Sequence, residues 1–368
     1  MNRLQRALDA LAERIDTPAP IVLVDVMQGN INRVQGFADQ RNLKVRPHVK
    51  THKCVAIGRR QIEAGAVGIT AGNVGEAEVF AAAGFDDIFL AYPIWAAGTK
   101  KPRIRRLAES ARLRVGADNV AAIEALADAM GDEPDRLQVV IEIDCGARRS
   151  GAPPEAAGDL ALAARKRGLV PVGVFTYPGH GGADQDARQR AAQDQEAALI
   201  TAVRSLADVG VTAEVVSAGS TPTLEFSTSS VITEIRPGEY VFGDLNNARL
   251  GACTEDQIAL FVAGTVVSDQ VPGQVIVDVG NKVLSKEGSP EIGYGGIAGT
   301  KAALSKVNEY HGFLPLPDGE FRPRVGSVVP VVPNHVCPVV LGFEELIVTD
   351  STGTSLERWP VDARGFLN

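Results

Sequence analysis

Arg46-Pro47-His48-Val49-Lys50-Thr51-His52-Lys53 closes a β-rich run at 44–50 and leaves it through a cluster of cations. A strand that ends on a lysine brings an amine to the edge of a sheet. Partial burial disfavours the charged form of that amine. Arg46, His48, His52 and Lys53 disfavour it further, so Lys50 can act as a nucleophile able to form a Schiff base. The same residues also suit a solvated basic strand end, and residue types alone do not separate the two readings. The surroundings of the strand carry the decision.

Outward from this segment, short β-rich runs alternate with helical stretches. The strand candidates are 21–26, 44–50, 68–71, 87–91, 112–115, 137–144, 172–176 and 213–217. Amphipathic segments rich in Ala, Glu, Arg and Leu lie between them, among them 75–83, 119–130 and 189–209. Strand–helix alternation implies parallel βαβ units. Eight strands in this length match a closed (β/α)₈ barrel of the TIM type, with an open doubly wound sheet as the alternative. In such a barrel a lysine at the C-terminal end of a strand points into the mouth, where this fold keeps its active sites. After about Val231 helical periodicity fades, and Gly and Pro punctuate short Val/Ile runs at 259–267, 274–279, 327–332 and 346–349. That texture predicts a mostly antiparallel β-domain. The expected division is a barrel over residues 1–245 and a C-terminal β-domain over residues 246–368.

The 368 residues carry a net charge of −8, which argues against a broad basic surface for nucleic acid. One basic run, Lys100-Lys101-Pro102-Arg103-Ile104-Arg105-Arg106, reads as a solvated helix face. No stretch reaches the roughly 18 apolar residues that a membrane helix needs. Cys54, Cys145, Cys253 and Cys337 lie far apart, a spacing that fits a reducing cytoplasm without a disulfide framework.

Several further motifs sit at predicted strand ends. Ser217-Ala218-Gly219-Ser220-Thr221-Pro222-Thr223 follows the last barrel strand candidate. Its small residues and hydroxyls suit a phosphate cradle, where barrels commonly hold phosphate, although an ordinary Gly/Ser turn has the same composition. Asp144-Cys145-Gly146-Ala147-Arg148-Arg149-Ser150-Gly151 and Tyr177-Pro178-Gly179-His180 bring polar groups to the same rim. Glu234-Ile235-Arg236-Pro237-Gly238-Glu239-Tyr240 marks the exit towards the second domain. In His335-Val336-Cys337, extended backbone would put imidazole and thiolate on one side, where they could share a metal ion. Ligand softness makes Zn²⁺ the first choice, with Mn²⁺ or Mg²⁺ as alternatives. A buried cysteine beside a hydrogen-bonded histidine is the competing reading. Asn308-Glu309-Tyr310-His311-Gly312 offers a second acid–imidazole pair that could sit nearby.

Taken in order, these motifs resemble the D-threonine aldolase and D-serine dehydratase group of fold-type III, alanine-racemase-like enzymes, from about Thr17 to Cys337. The resemblance implies pyridoxal phosphate (PLP) as cofactor, with Lys50 as the lysine that carries it. Arg149, in an Asp-x-Gly-x-x-Arg-x-Gly pattern, matches the arginine at the cofactor's phenolic oxygen, and Tyr177 matches a cofactor-contacting tyrosine. Gly219, Ser220 and Thr221, with Thr223, fall on the phosphate-binding turn, and Gly238 and Tyr240 on the second phosphate loop. Arg236 falls where racemases set an arginine against the pyridine nitrogen. His48 joins the expected cofactor contacts, and His180 joins Lys50 as a catalytic candidate.

The His335-x-Cys337 pair looks like the metal site of the D-serine dehydratase branch, and the same pair occurs in members acting on 3-hydroxyaspartate. The aldolase branch more often has aspartate at the second position. It also tends to carry a histidine where Ala183 and Asp184 stand here. The resemblance therefore implies a PLP- and metal-dependent lyase acting on a β-hydroxy-D-amino acid, with dehydration ahead of retro-aldol cleavage. A racemase, which needs a second base and no metal, and a non-catalytic PLP-binding protein, which would be a lone barrel, fit less well. A homodimer is part of the same expectation.

Overall fold

The first strand, β1 (Ala19–Leu23), is buried along its whole length, as a barrel strand would be. It lies instead in a mostly antiparallel sheet, between β10 (Leu260–Ser268) and β16 (Glu345–Thr349). Ile21 stands opposite Phe261 on one side, antiparallel, and opposite Ile347 on the other, parallel. The expected barrel strand at 21–26 is thus corrected: the strand stops at Leu23 and the helix Val24–Asp39 follows at once. An apolar run with both faces covered has the same signature in the centre of either sheet.

The computed structural model describes residues 3–316 and 322–368. The chain forms two compact units. One, the β unit, comprises Met1–Asn32, Thr51–Ala56 and Glu239–Arg364, and the other, the barrel unit, comprises Arg33–Lys50, Ile57–Gly238 and Gly365–Asn368.

The barrel unit holds eight parallel strands: β2 (Lys44–Val45), β3 (Ile69–Ala71), β4 (Asp87–Pro93), β5 (Arg112–Ala117), β6 (Gln138–Glu142), β7 (Val170–Phe175), β8 (Val215–Ala218) and β9 (Glu234–Ile235). They run in the order β2-β9-β8-β7-β6-β5-β4-β3. A parallel bridge between His48 and Thr70 closes the ring, supported by Val67 N donating to Val45 O (3.0 Å) and Thr70 N to Pro47 O (2.8 Å). The eighth position belongs to Glu234–Ile235, inside the motif read as an exit. Two residues, one of them charged, carry no strand signal. Helices start where side chains cap them: Asn73 accepts from Glu76 N, Asn119 from Ala122 N and Asp184 from Ala187 N.

The barrel core joins an apolar layer to a charged one. Phe89, Val140, Val172, Phe175 and Val215 pack together, with the Phe89 and Phe175 rings edge to face at 5.1 Å. Arg46, buried at the end of β2, pairs with Asp87 of β4 (2.6 Å) and Glu234 of β9 (2.9 Å). Arg114 of β5 contacts Asp87 as well. Removing one partner of a buried ion cluster leaves the others uncompensated. Arg46→Met is therefore expected to lower unfolding stability by about 3–5 kcal/mol in a urea series. Unchanged stability would mean that Arg114 and Ser217 satisfy both carboxylates without it.

The β unit is mostly antiparallel. Here β10 pairs with β1, with β11 (Gln274–Val277) and with β15 (Val328–Val332). Beyond β11 come β14 (Gly312–Pro315) and then β13 (Lys306–Val307); β12 (Gly296–Ile297) adds to β15, and β17 (Glu357–Pro360) to β16. The helix Arg3–Leu11 presents Leu4, Ala7, Leu8 and Leu11 to a core of Ile21, Leu23, Phe261, Val332 and Ile347.

Candidate active site

Because the barrel strands are parallel, their C-terminal ends share one rim, and the sequence-marked residues of this unit follow those ends. β2 stops at Val45 and the chain reaches a 3₁₀ turn at Val49–Thr51. There Lys50 is exposed, while its amide donates to His48 Nδ1 at 3.4 Å. Beside it the backbone passes closely: a Cβ on Gly72 would lie 3.2 Å from Glu76 Oε2, 3.5 Å from His48 Cε1 and 3.7 Å from Lys50 Cβ.

After β6, Asp144 Oδ1 accepts from Gly146 N (2.9 Å) and Arg148 N (3.0 Å), folding the loop that presents Arg149. The exposed Arg149 guanidinium lies 4.5 Å over the Tyr177 ring and 3.8 Å from Glu142. Glu142 Oε1 accepts from Ser150 Oγ at 2.9 Å, while its buried Oε2 has no hydrogen-bond partner. Burial raises the carboxyl pKa, against the pull of Ser150 and Arg149.

After β7, His180 Nε2 lies 3.0 Å from Asp194 Oδ2. A carboxylate partner places the ring proton on Nε2 and leaves the buried Nδ1, which has no partner, as the acceptor. Asp194 stands on the helix Gln185–Asp208 and lay outside every motif. After β8, Gly219 takes a left-handed φ of 82°. Two amides of this turn already donate within the protein, Gly219 N to Gln195 Oε1 (2.8 Å) and Ser220 N to Thr223 Oγ1 (3.2 Å). The Ser220 and Thr223 hydroxyls also bind each other, at 3.0 Å, so the turn is internally hydrogen-bonded and its hydroxyls are its distinctive polar groups. After β9, Arg236 is buried, donating from Nη1 to Ser217 Oγ (2.6 Å) and from Nη2 to Thr176 O (2.7 Å). Its planar group lies near the rings of Phe175 and Phe89, at 5.2 and 5.7 Å. Burial lowers its pKa to about 10. Lys50, Arg149, Tyr177, the 219–223 turn and Arg236 offer an amine, cations, an aromatic face and hydroxyls on one rim. That chemistry fits a phosphorylated aromatic aldehyde.

The β unit holds the other marked residues. Tyr240 is buried in the 3₁₀ turn Glu239–Val241. His335 and Cys337 do come together, on a different backbone from the expected extended one. His335 is the residue before the short helix Val336–Leu341, and Cys337 lies in its first turn. Glu239 joins them: one donor atom from each of Glu239, His335 and Cys337 lies within 4.8 Å of the others. Every member is oriented from outside. Asn247 Nδ2 donates to Glu239 Oε2 at 2.8 Å. Cys337 Sγ donates to Thr51 Oγ1 at 3.3 Å, and Thr51 follows Lys50 in the chain. His335 Nδ1 lies 2.8 Å from both oxygens of Glu287.

With an ion at the site, that last contact would keep a proton on Nδ1 and turn the Nε2 lone pair to the metal, the arrangement of a metal-ligating histidine. Nε2 is buried, lies 3.1 Å from Glu239 Oε1 and makes no hydrogen bond of acceptable geometry. Burial opposes a charge on this imidazole, yet Cys337 and Glu239 raise its pKa to about 12. The cluster calls for a positive charge, and imidazole, thiolate and carboxylate suit a divalent metal ion. Glu239 stood in a quoted motif without this role, since only the fold brings it to His335. Glu309 and His311 stand at the turn between β13 and β14 and do not belong to the trio.

Among the described residues, no helix is long and apolar enough to cross a membrane. Residues 22–246 match the family model of the alanine racemase N-terminal domain, and residues 259–349 match a serine dehydratase domain. D-threonine aldolase from an Arthrobacter species is 32% identical over 97% of this chain and 95% of that protein. D-threo-3-hydroxyaspartate dehydratase from Delftia sp. (strain HT23) is 33% identical over 94% of this chain and 97% of that protein. Among solved structures, D-threonine aldolase from Filomicrobium marinum superposes with a TM-score of 0.89 at 31% identity, covering 96% of this chain and 97% of that one.

Proposed function

The chain belongs to the D-threonine aldolase and D-serine dehydratase family of fold-type III, alanine-racemase-like enzymes, and we propose that it is a PLP- and divalent-metal-dependent lyase acting on β-hydroxy-D-amino acids. The observation that carries the reading is the gathering of Glu239, His335 and Cys337, whose donor atoms lie within 4.8 Å of one another. PLP, when bound, supplies an electron sink for charge developing at Cα, and a divalent ion at the trio supplies a Lewis acid for the β-hydroxyl oxygen.

The chain's own residues do the rest. Lys50 carries the cofactor and then takes the Cα proton from the face it occupies, which selects the D configuration. Arg149, Tyr177, His48, Arg236 and the Gly219-Ser220-Thr221 turn, together with Gly238 and Tyr240, hold the cofactor. His180, steered by Asp194, is placed to carry a proton. Glu239, His335 and Cys337 would hold the ion, with zinc suited to a thiolate and an imidazole. A cytoplasmic homodimer is part of the same proposal.

The His-x-Cys pair favours dehydration to a 2-oxo acid and ammonia. The likeness to two D-threonine aldolases supports a second reading, cleavage of the Cα–Cβ bond to glycine and an aldehyde. Incubation of the purified enzyme with PLP and Zn²⁺, separately with D-serine, D-threonine and 3-hydroxy-D-aspartate, separates them. Ammonia in step with 2-oxo acid is the expected result. Glycine in step with aldehyde would establish the second reading, and no product from any substrate would remove the lyase proposal.

A further inference from the structure

We propose that Glu239 makes this enzyme prefer β-hydroxy-D-amino acids with an uncharged β-substituent over those bearing a β-carboxylate, an inference that rests on the lyase reading above. The sequence pair His335-x-Cys337 alone would hold a divalent ion with a net charge of +1, one thiolate against two positive charges. Such a site would welcome a second anion. Glu239 removes that charge. Its Oε2 is fixed by Asn247 Nδ2 at 2.8 Å, which directs Oε1 to within 3.1 Å of His335 Nε2. Thiolate and carboxylate together then neutralise the ion.

The nearby charges add to this balance in the same sense. Glu287 sits 2.8 Å from the far side of the imidazole. Asp244 is buried nearby, accepting from Val336 N, the residue after His335, at 3.1 Å and from Asn247 N at 2.8 Å. Arg249, a cation in the same region, feels the charge of Asp244 and donates to Asn334 Oδ1 (2.9 Å), Asn246 Oδ1 (3.2 Å) and Ile292 O (3.2 Å), so it offsets part of this negative charge and not all of it.

Ligand count leads to the same conclusion as charge. Catalytic zinc takes three protein ligands and keeps one position for water or substrate. With two protein ligands a substrate could offer a hydroxyl and a carboxylate together. With Glu239 as the third, one oxygen is admitted, and a β-carboxylate is left unneutralised among acidic groups. D-serine and D-threonine have a single β-oxygen and no further charge, so they suit the site.

The test uses the full-length holoenzyme and its Glu239→Gln variant, with Glu239→Asp as a second variant that keeps the charge. Zn²⁺ affinity is read by competition with a chromophoric chelator, independently of turnover. The ratio of kcat/KM for D-serine to that for 3-hydroxy-D-aspartate is read in parallel. In the unaltered enzyme D-serine is expected to be preferred. In Glu239→Gln, Zn²⁺ should bind roughly tenfold to a hundredfold more weakly, and the ratio should fall by about tenfold or more as the site regains a positive charge. Glu239→Asp should keep the preference. A wild-type preference for 3-hydroxy-D-aspartate, an unmoved ratio, or unchanged Zn²⁺ affinity in Glu239→Gln would overturn the inference while the lyase reading stands. No turnover of any β-hydroxy-D-amino acid would overturn both.

Discussion

Lys50→Ala is expected to lower turnover by about three to four powers of ten or more and to remove the visible absorbance of the bound cofactor, while the far-ultraviolet circular dichroism stays unchanged. The size follows from the two tasks proposed for one amine, covalent attachment and proton transfer at Cα. Proton transfer alone is worth roughly 10²–10⁴ in rate. The fold should tolerate the change, because Lys50 is exposed and it is its amide, not its amine, that donates to His48. The motif holds a second lysine, and the structure separates the two. Lys53 is buried, with a left-handed φ of 49° and its Nζ 3.4 Å from Ala363 O. An amine sequestered against a carbonyl is poorly placed as a nucleophile. A visible band that survives Lys50→Ala and disappears in Lys53→Ala would reverse this assignment.

Cys337→Ser is expected to weaken metal binding by at least about a hundredfold and to reduce turnover in step, with PLP retained. Loss of a residue that only orients a ligand typically costs 10–100-fold in metal affinity, so loss of a ligand should cost no less. Burial raises the pKa of the Cys337 thiol, opposed by the hydrogen bond from His335. A thiol with a raised pKa is a ligand that needs the ion to deprotonate it, and a serine hydroxyl resists deprotonation far more. PLP should remain because its proposed contacts, apart from Tyr240, lie in the barrel unit. Metal content and activity both unchanged in Cys337→Ser would rule out the trio as the metal site. Addition of a chelator to the unaltered enzyme should reproduce the phenotype.

The readable parts of this chain were those whose signals are local. The alternation of apolar runs and amphipathic helices gave the parallel strands β3–β8, since each βα pair is complete within a few tens of residues. Residues placed just after strand ends, such as Lys50, Arg149 and Tyr177, could be assigned to one rim because parallel strands leave no other choice. Signals that exist only in three dimensions were missed. β1 is apolar throughout, and nothing in it states which sheet it enters. Glu234 entered the barrel as half of a two-residue strand, and its charge is tolerated because Arg46 and Ser217 meet it. Glu239 and Glu287 reach His335 across 96 and 48 positions, so no spacing rule could have flagged them. Asp194 lies on a helix whose polar face looks ordinary until His180 is set against it.

The place of β1 also has a consequence for how the chain is made. A ribosome releases β1 long before β10 and β16, the two strands that flank it in the finished sheet. Until both emerge, a wholly apolar segment has no backbone partners on either edge. The barrel strands β3 to β9 each pair with the next in sequence, so they can assemble while β1 waits. Closing a sheet across so long an insertion costs loop entropy that only the final strands repay. The β unit is therefore expected to be the last part of the nascent chain to become protease-resistant, and β1 the segment most in need of shielding from other chains during synthesis.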